Sequence, residues 1–306
     1  MGTIIKTINM TKIYDQHFSL RDVHLTVKQG DIYGLIGRNG AGKTTIMKIL
    51  SGIITASSGT VELFGKSSEK ELNRERQRMG CIIENPSFFP YLSARKNLEY
   101  YRLQRGITGK RCIEEVLEMV GLPDVGGKKF KNFSLGMKQR LGLALALLGS
   151  PDILILDEPT NGLDPIGIVE FREIIKKLNT ERNITILISS HILSELSQIA
   201  TVYSFIDKGA LLEENTAKEI NENCRQYLLL TVDNTASAAV ILETELECRH
   251  YIILNDNRMK LYQYVDDSDI PVRVLANHGI KVFSATREGI SLEDYFISRI
   301  GGSTND

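Results

Sequence analysis

The stretch GRNGAGKT, Gly37–Thr44, matches the pattern G-x-x-x-x-G-K-[ST] and lies between a predicted buried strand, Ile32–Ile36, and a predicted helix, Thr44–Leu50. Glycines in such a loop let backbone N–H groups curl around phosphate oxygens, and the N-terminus of the following helix adds partial positive charge. Lys43 is predicted to neutralise the β and γ phosphates, and Thr44 to offer its hydroxyl to Mg²⁺. An incidental glycine turn is the alternative, but the strand–loop–helix setting favours a nucleotide site.

Two adjacent carboxylates follow a second apolar strand. The segment ILILDEP, Ile153–Pro159, carries Asp157 and Glu158 where the strand ends. Adjacent acids at the end of a buried strand repel each other unless a cation lies between them. We therefore expect Asp157 to reach Mg²⁺ through water and Glu158 to polarise the water that attacks the γ phosphate. A structural helix cap is the alternative interpretation.

A histidine ends a third apolar strand, in the segment ITILISSH, Ile184–His191. Strands that alternate with helices predict a parallel sheet covered on both faces, and such sheets bind ligands at the carboxyl ends of their strands. A neutral His191 imidazole at this edge is predicted to hydrogen-bond the γ phosphate. A purely structural histidine remains the alternative.

Length and composition limit the classes of protein that fit. A chain of 306 residues favours two units over one. Its formal net charge of -1 gives no reason to expect a nucleic-acid partner, and the basic segment Gly127–Lys131 is interpreted as a solvated loop. Four scattered cysteines predict reduced thiols rather than disulfides or a zinc site, which fits a cytosolic chain. No apolar run approaches the ~20 residues that a membrane helix needs, so a separate chain would hold this one at a membrane.

The ordered set of motifs resembles the ATP-binding subunit of ABC transporters over roughly Ile4–Glu213. The set comprises GRNGAGKT, FSLGMKQ (Phe133–Gln139), ILILDEP, NGLD (Asn161–Asp164) and His191. The resemblance implies an α/β fold: a P-loop NTPase cassette with a RecA-like core, an antiparallel β subdomain and a helical subdomain. We expect the cassette to span residues 1–215, with the helical subdomain at about 93–149, and a small C-terminal α+β domain to span residues 216–306.

The family resemblance also implies partners and further site residues. Two cassettes, here expected to be a homodimer, close head to tail over two ATPs and drive membrane-spanning permease subunits, so the chain would be peripheral on the inner face of the cell membrane. Tyr14 resembles the aromatic that stacks on adenine, an interaction worth ~1–3 kcal/mol per base in nucleic-acid analogues. The family's usual signature loop has glycine at Leu135 and glutamine at Met137, whereas Ser134 and Gly136 keep the pattern. Asp164 corresponds to an aspartate at the interface between cassettes.

The predicted site residues fall into three groups. The catalytic residues are Glu158, His191 and Lys43; the metal-side residues are Thr44, Asp157 and Glu84; and the ATP-binding residues are Tyr14, Gly37, Arg38, Asn39, Gly40, Ala41, Gly42, Lys43, Thr44, Thr45, Glu84, Ser134, Gly136 and Asp164.

Glu84 occupies the position where the family normally has a glutamine that touches Mg²⁺ or the attacking water. At ~4 Å from a γ-phosphate charge, an effective dielectric constant of ~20 gives a repulsion of about 4 kcal/mol. Glu84 should therefore lie close to the phosphate only if Mg²⁺ lies between them or if it is protonated, and should otherwise stay withdrawn until the dimer closes. Our hypothesis is that Glu84 ligates Mg²⁺ directly or through water; a loop acid facing solvent is the alternative. The aromatic residues that follow, Phe88, Phe89 and Tyr91, are predicted to line the groove that grips the permease, with core packing as the alternative.

A glutamate at this position resembles ABC ATPases that serve lantibiotic self-immunity, and the whole chain resembles bacitracin-resistance export ATPases. The segment GISLEDYF, Gly289–Phe296, is similar to the tail of that branch. The expected function is hydrolysis of ATP to ADP and phosphate, coupled to export of a peptide antibiotic. Two alternatives are a soluble ABC-type ATPase acting on ribosomes or DNA and a nucleotide-gated adaptor with little turnover. The first typically carries two cassettes or a coiled-coil insertion, and the second needs no base such as Glu158.

Overall fold

The computed structural model describes residues 2–84, 87–122, 125, 127–290 and 292–301. Asn85 and Pro86, which follow Glu84, and Ser291 in the GISLEDYF segment lie outside the described residues. The described chain divides into two compact units, one extending to Ala217 and including the final residues from Arg299, and the other comprising Lys218–Ser298.

The chain forms thirteen strands and eleven α-helices within its described residues, together with two short 3₁₀ turns at Arg76–Arg78 and Phe130–Asn132. The strands are β1 (Thr3–Tyr14), β2 (His17–Lys28), β3 (Ile32–Ile36), β4 (Ser58–Leu63), β5 (Met79–Ile82), β6 (Ile153–Leu156), β7 (Thr185–Ser190), β8 (Val202–Asp207), β9 (Ala210–Thr216), β10 (Tyr227–Val232), β11 (Tyr251–Ile253), β12 (Arg258–Leu261) and β13 (Val282–Glu288). The helices are α1 (Lys43–Leu50), α2 (Glu69–Glu75), α3 (Ala94–Gln104), α4 (Arg111–Met119), α5 (Leu135–Leu147), α6 (Pro165–Arg182), α7 (Leu193–Leu196), α8 (Ala217–Asn223), α9 (Thr235–Leu246), α10 (Asp269–Asn277) and α11 (Leu292–Gly301).

A six-stranded sheet in the order β5-β6-β7-β3-β8-β9 forms the centre of the first unit. Its strands run parallel except β9, which is antiparallel to β8. Every residue of β3, β6 and β7 is buried, as expected for strands covered on both faces. The pairing of Ile36 with Ser190, and of Leu156 with Ile188, brings the loops after these three strands to the same edge of the sheet. The predicted α/β fold class is confirmed.

A second, antiparallel sheet has the order β2-β1-β4. Strands β1 and β2 are each 12 residues long, whereas the apolar runs that they contain, Ile4–Ile8 and Val23–Val27, predict shorter strands from the sequence. Register shifts interrupt the pairing of β1 with both neighbours, and Asn9 within β1 has a positive φ of 50°. Bulges of this kind break the alternation of apolar and polar residues, which is why the pattern predicted shorter strands.

Helices α3, α4 and α5 lie in the region that the sequence predicts to be helical. Apolar residues at helical spacing predict a mostly helical run over Ser93–Val120, but the structure divides it in two. The segment between α3 and α4 contains Gly106 and Gly109, both at positive φ. Ser134 caps α5 by accepting a hydrogen bond from the Met137 backbone N–H at 3.3 Å. Helix α5 packs closely on β5, since a Cβ added at Gly80 would lie 2.3 Å from the Ala146 carbonyl oxygen.

The second unit contains an antiparallel sheet in the order β11-β12-β10-β13. Alternate residues of β10, namely Leu228, Leu230 and Val232, are fully buried and pack with residues of α9 and α10 such as Leu242 and Leu275. The chain therefore forms a separate α+β core after Ala217. A search of the described residues found no helix that combines the length and apolar character needed to cross a membrane.

Candidate nucleotide site

The loop between β3 and α1 surrounds the ammonium group of Lys43. Lys43 Nζ donates hydrogen bonds to the carbonyl oxygens of Gly37 at 2.6 Å and Arg38 at 3.1 Å, and the side chain is only 5% exposed. Gly42 has a φ of 111°, and a Cβ there would lie 2.7 Å from Leu20 Cδ2. A Cβ at Gly37 would lie 2.4 Å from the Ile206 carbonyl oxygen. Gly42 is thus required by its left-handed backbone, and Gly37 is required because β8 approaches it closely.

The remaining loop residues differ in their exposure. Arg38, Asn39 and Gly40 are exposed, whereas Ala41 is buried with Gly42. Thr45, the third residue of α1, shares a hydrogen bond of 2.9 Å with the Ser19 hydroxyl. The loop therefore exposes residues Arg38, Asn39 and Gly40 beside the buried Lys43. Loops of this kind bind phosphate oxygens through their backbone N–H groups.

Asp157 connects the helix after this loop to strand β7. Its Oδ2 accepts a hydrogen bond of 2.7 Å from Thr44 Oγ1, and its Oδ1 accepts one of 2.7 Å from Ser189 Oγ. Ser189 Oγ in turn accepts a hydrogen bond from the Glu158 backbone N–H at 2.9 Å. Because Asp157 is 7% exposed and Ser189 is fully buried, this network fixes the carboxylate of Asp157 and the backbone of Glu158.

Glu158 lies between two basic side chains. Its Oε1 is 3.0 Å from Lys43 Nζ, and its Oε2 is 2.7 Å from His191 Nδ1. The Glu158 side chain is 20% exposed and that of His191 is 34% exposed, so one side of the pair faces solvent. The structure thus brings together Lys43, Thr44, Asp157, Glu158 and His191 at the carboxyl edge of the central sheet.

A cleft of about 420 Å³ separates the start of α5 from the start of α6, and its lining includes Ser134, Gly136 and Asp164. Asp164 Oδ1 caps α6 by accepting a hydrogen bond of 2.9 Å from the Gly167 backbone N–H. Leu135 is 42% exposed and packs over Gly162, where an added Cβ would lie 3.0 Å from Leu135 Cδ2. The N-termini of two helices thus face one cleft and supply partial positive charge there.

The motifs of this site match a known family. A family model described as ABC transporter matches residues 20–161, and a second, described as an AAA domain and putative AbiEii toxin, matches residues 126–197. Bacitracin transport ATP-binding protein BcrA of Bacillus licheniformis is 45% identical over 304 residues, 99% of each chain. The chain belongs to the ABC transporter family. It is an ABC-type ATPase, which binds ATP and hydrolyses it.

Other relatives of this ABC ATPase match different shares of the chain. Lantibiotic transport ATP-binding protein SrtF of Streptococcus pyogenes is 44% identical over 211 residues, which are 69% of this chain and 90% of SrtF. A solved ATP-binding subunit of an ABC transporter is 26% identical, has a TM-score of 0.64, and covers 72% of this chain and 92% of its own. A dimeric ATP-binding cassette bound to ADP and phosphate, 24% identical with a TM-score of 0.64, covers 70% of this chain and 99% of its own and has the same fold.

Two predicted ATP-site residues of the ATPase lie outside the central network. Tyr14 ends β1 with 46% of its surface exposed, and Lys12 Nζ lies 4.9 Å from the centre of its ring. Glu84 follows β5 with a positive φ of 62°, and its Oε1 is 2.6 Å from Lys48 Nζ. The pKa of Lys48 is raised chiefly by this hydrogen bond, and to a smaller extent by the negative charges of Glu84 and Asp157. Glu84 is therefore paired with a lysine of the helix that follows the phosphate loop.

The aromatic residues after Glu84 form a surface cluster with the helical region. The Phe88 ring lies 5.0 Å from that of Phe130, and the Phe89 ring lies 4.7 Å from that of Tyr100. Phe89 is 42% exposed and Tyr91 is 68% exposed. Lys131 of the basic segment Gly127–Lys131 lies over the Tyr91 ring at 4.9 Å, so this lysine belongs to the aromatic cluster. The cluster therefore contains rings that pack on one another and still leaves Phe89 and Tyr91 exposed at the surface.

Three contributors to the site were not predicted from the sequence. Ser189 holds both Asp157 and the Glu158 backbone, Lys48 pairs with Glu84, and Glu195 accepts hydrogen bonds beside His191. The two serines of ITILISSH were a usable signal, because polar residues that end a buried strand require hydrogen-bond partners. Lys48 and Glu195 gave no comparable signal, since lysine and glutamate are ordinary on helix surfaces.

Proposed function

We propose that this ABC ATPase powers the export of a peptide antibiotic, such as bacitracin or a lantibiotic, and thereby gives resistance or self-immunity. The supporting observation is the match to a bacitracin transport ATP-binding protein over 99% of both chains, which includes the second unit. A soluble ATPase acting on ribosomes or DNA is disfavoured, because the full-length relatives whose names state a role are transport proteins. An adaptor with little turnover is disfavoured because it needs no base, whereas the contacts of Glu158 with Lys43 and His191 suit that role.

Deletion of the gene in its own host tests this proposal directly. Loss of the chain should lower the minimum inhibitory concentration of bacitracin or of a lantibiotic, and the wild-type chain should restore it. The variant Glu158→Gln, made in equal amount, should not restore it, because export depends on hydrolysis. Unchanged sensitivity to both classes of peptide would contradict the assigned cargo, and restoration by Glu158→Gln would contradict coupling to hydrolysis.

The proposed catalytic roles follow from the contacts of Glu158. Lys43, inside the phosphate loop, neutralises phosphate charge, and Glu158 accepts a proton from the attacking water. The 2.7 Å contact between His191 Nδ1 and Glu158 fixes one ring nitrogen, which leaves Nε2 to face the γ phosphate. Three charged or polar groups would then surround the bond that breaks.

Mg²⁺ is the proposed cofactor, and the donor set fits it. The hydroxyl of Thr44 and the carboxylate of Asp157 are hard oxygen ligands 2.7 Å apart. Mg²⁺ is commonly held by one or two carboxylates together with substrate phosphates. When bound, the ion would supply positive charge against the phosphates of ATP, and Thr44 and Asp157 would hold it.

Glu84 is proposed to contact Mg²⁺ directly or through water, and in doing so to exchange its present partner, Lys48. Substitution Glu84→Gln should raise the Mg²⁺ concentration needed for half-maximal ATPase several-fold, because a neutral amide oxygen attracts a cation less strongly. ATP binding in EDTA should be tighter in this variant, since repulsion of the γ phosphate is removed. Both are measured by titration, with Glu118→Gln on the exposed face of α4 as the control. Superimposable Mg²⁺ curves for wild type and Glu84→Gln would contradict the role.

We also propose the assembly of this ATPase. Two copies would pair head to tail, so that the cleft containing Ser134, Gly136 and Asp164 in one copy meets the ATP held by the phosphate loop of the other. The capped N-terminus of α5 is a suitable anion site. No nucleic-acid partner is proposed, and the chain would lie on the inner face of the cell membrane through its permease.

The aromatic cluster that contains Phe89 and Tyr91 is proposed to contact the permease. Substitution Phe89→Ala should weaken association with membranes containing the permease by about tenfold or more, the scale of an interfacial aromatic residue worth ~2 kcal/mol. Basal ATPase should be retained, because the ring is 42% exposed and its closest aromatic partner is Tyr100. Co-sedimentation with membranes measures the first quantity, with Phe283→Ala in the second unit as the control. A large loss of basal activity or of folding would instead identify Phe89 as a core residue.

A further inference from the structure

A single carboxylate oxygen joins the loops that follow β6 and β7. Glu195, on the short helix α7, accepts hydrogen bonds at Oε2 from Thr160 Oγ1 at 2.7 Å and from Ser190 Oγ at 3.0 Å. Thr160 is 6% exposed and Ser190 is 1% exposed. Hydroxyl groups this deeply buried need an acceptor, and a carboxylate is a stronger acceptor than a neutral group. Glu195 is therefore held in place by both loops and holds both in return.

The two loops carry different parts of the proposed machinery. Thr160 begins the turn to Asp164, and its carbonyl oxygen accepts a hydrogen bond from Leu163 N at 3.1 Å. Ser190 directly precedes His191, and its carbonyl oxygen accepts a hydrogen bond from Gly37 N at 3.3 Å. Glu195 thus connects the segment that lines the cleft with the histidine that contacts Glu158.

We propose that Glu195 is a positioning residue for ATP hydrolysis. It holds the Thr160–Asp164 segment against the His191 loop, so that displacement of Asp164 at the cleft also moves the imidazole that orients Glu158. Glu195 acts on Asp164 and His191 indirectly, through the hydroxyl groups of Thr160 and Ser190. This inference rests on the proposed roles of His191 and Glu158.

The first test compares two substitutions of Glu195 in the full-length protein. Glu195→Ala removes the acceptor and should lower kcat about tenfold, because small misplacements of catalytic groups are costly. The KM for ATP should stay within about twofold, since the phosphate loop keeps its own contacts. Glu195→Gln retains an oxygen that can accept from both hydroxyls and should keep most of the wild-type kcat. Gln198→Ala, an exposed neighbour just beyond α7, should behave as wild type.

A role confined to stability makes a different set of predictions. In that case Glu195→Ala would lower the melting temperature and the active fraction, while kcat per folded molecule would be unchanged. That result, or an equal loss of kcat in Glu195→Gln and Glu195→Ala, would overturn the inference.

Substitution Thr160→Val provides the second test, and on its own it applies even if Glu195→Ala does not fold. Thr160→Val keeps the shape of the side chain and removes the hydroxyl, so it should lower kcat as Glu195→Ala does. Where Glu195→Ala folds, the double variant should be no worse than Glu195→Ala alone, because that variant has already lost the bond from Thr160. Unchanged kcat in Thr160→Val, or fully additive losses, would overturn the inference. If Glu158→Gln still hydrolyses ATP, the proposed base is wrong; if it is inactive and Thr160→Val is unaffected, only the role of Glu195 is wrong.

Discussion

Substitution of Glu158 by glutamine is expected to lower ATP turnover by about 10²–10⁴-fold, the range that a positioned general base contributes. Glutamine keeps the size of the side chain and its contact with His191 Nδ1 but cannot accept the proton of the attacking water. ATP binding should be retained, because Lys43 still donates to the Gly37 and Arg38 carbonyl oxygens without Glu158. Phosphate release under saturating ATP measures the first quantity, and fluorescent nucleotide binding measures the second.

The matched control is Glu173→Gln, which neutralises an exposed glutamate paired with Lys176 on α6. An exposed pair of this type contributes ~0–1 kcal/mol, so turnover should be unchanged. If Glu158→Gln retained turnover near that of wild type, another group would have to accept the proton. If it lost ATP binding instead, the carboxylate would serve chiefly to hold Lys43 in place.

The sequence predicted strands β3, β6 and β7 of the central sheet because several local signals agree, whereas β8 and β9 were not predicted. The phosphate loop follows a buried strand, and the apolar runs that end in Asp157 and His191 read as strands on their own. Ser134 gave the N-terminus of α5, since a serine before a helical run is a favoured cap. Parallel strands present their carboxyl ends at one edge, so strand identity alone brought these motifs together.

The connections within the site could not be predicted in the same way. The bond between Thr44 and Asp157 spans 113 positions of sequence, and that between Thr160 and Glu195 spans 35. Such pairs depend on strand order and register, which local periodicity does not specify. Glu84 illustrates the same limit: its charge beside the phosphates led to the prediction of a Mg²⁺ contact, but nothing in the sequence indicated the ion pair with Lys48. In the second unit, the exposed strand β13 escaped prediction because it has little apolar alternation.

Substitution of Lys43 by methionine is expected to weaken ATP binding tenfold to 100-fold and to abolish turnover at physiological ATP. A hydrogen bond to a charged group is worth ~1.5–3 kcal/mol, and each 1.4 kcal/mol corresponds to a factor of ten.

The position of Lys43 explains why its substitution should weaken ATP binding more than substitution of a surface lysine would. Its Nζ contacts Gly37, Arg38 and Glu158 at 2.6, 3.1 and 3.0 Å, so methionine removes a charge that organises the loop before phosphate arrives. It also leaves Glu158, 20% exposed, without its cation, which should lower the melting temperature of the variant. Lys176→Met, which breaks only the exposed pair on α6, is the control for loss of a lysine and should leave ATP affinity unchanged. Equal ATP affinity in wild type and Lys43→Met would mean that the backbone N–H groups and helix α1 supply the phosphate binding energy without the lysine.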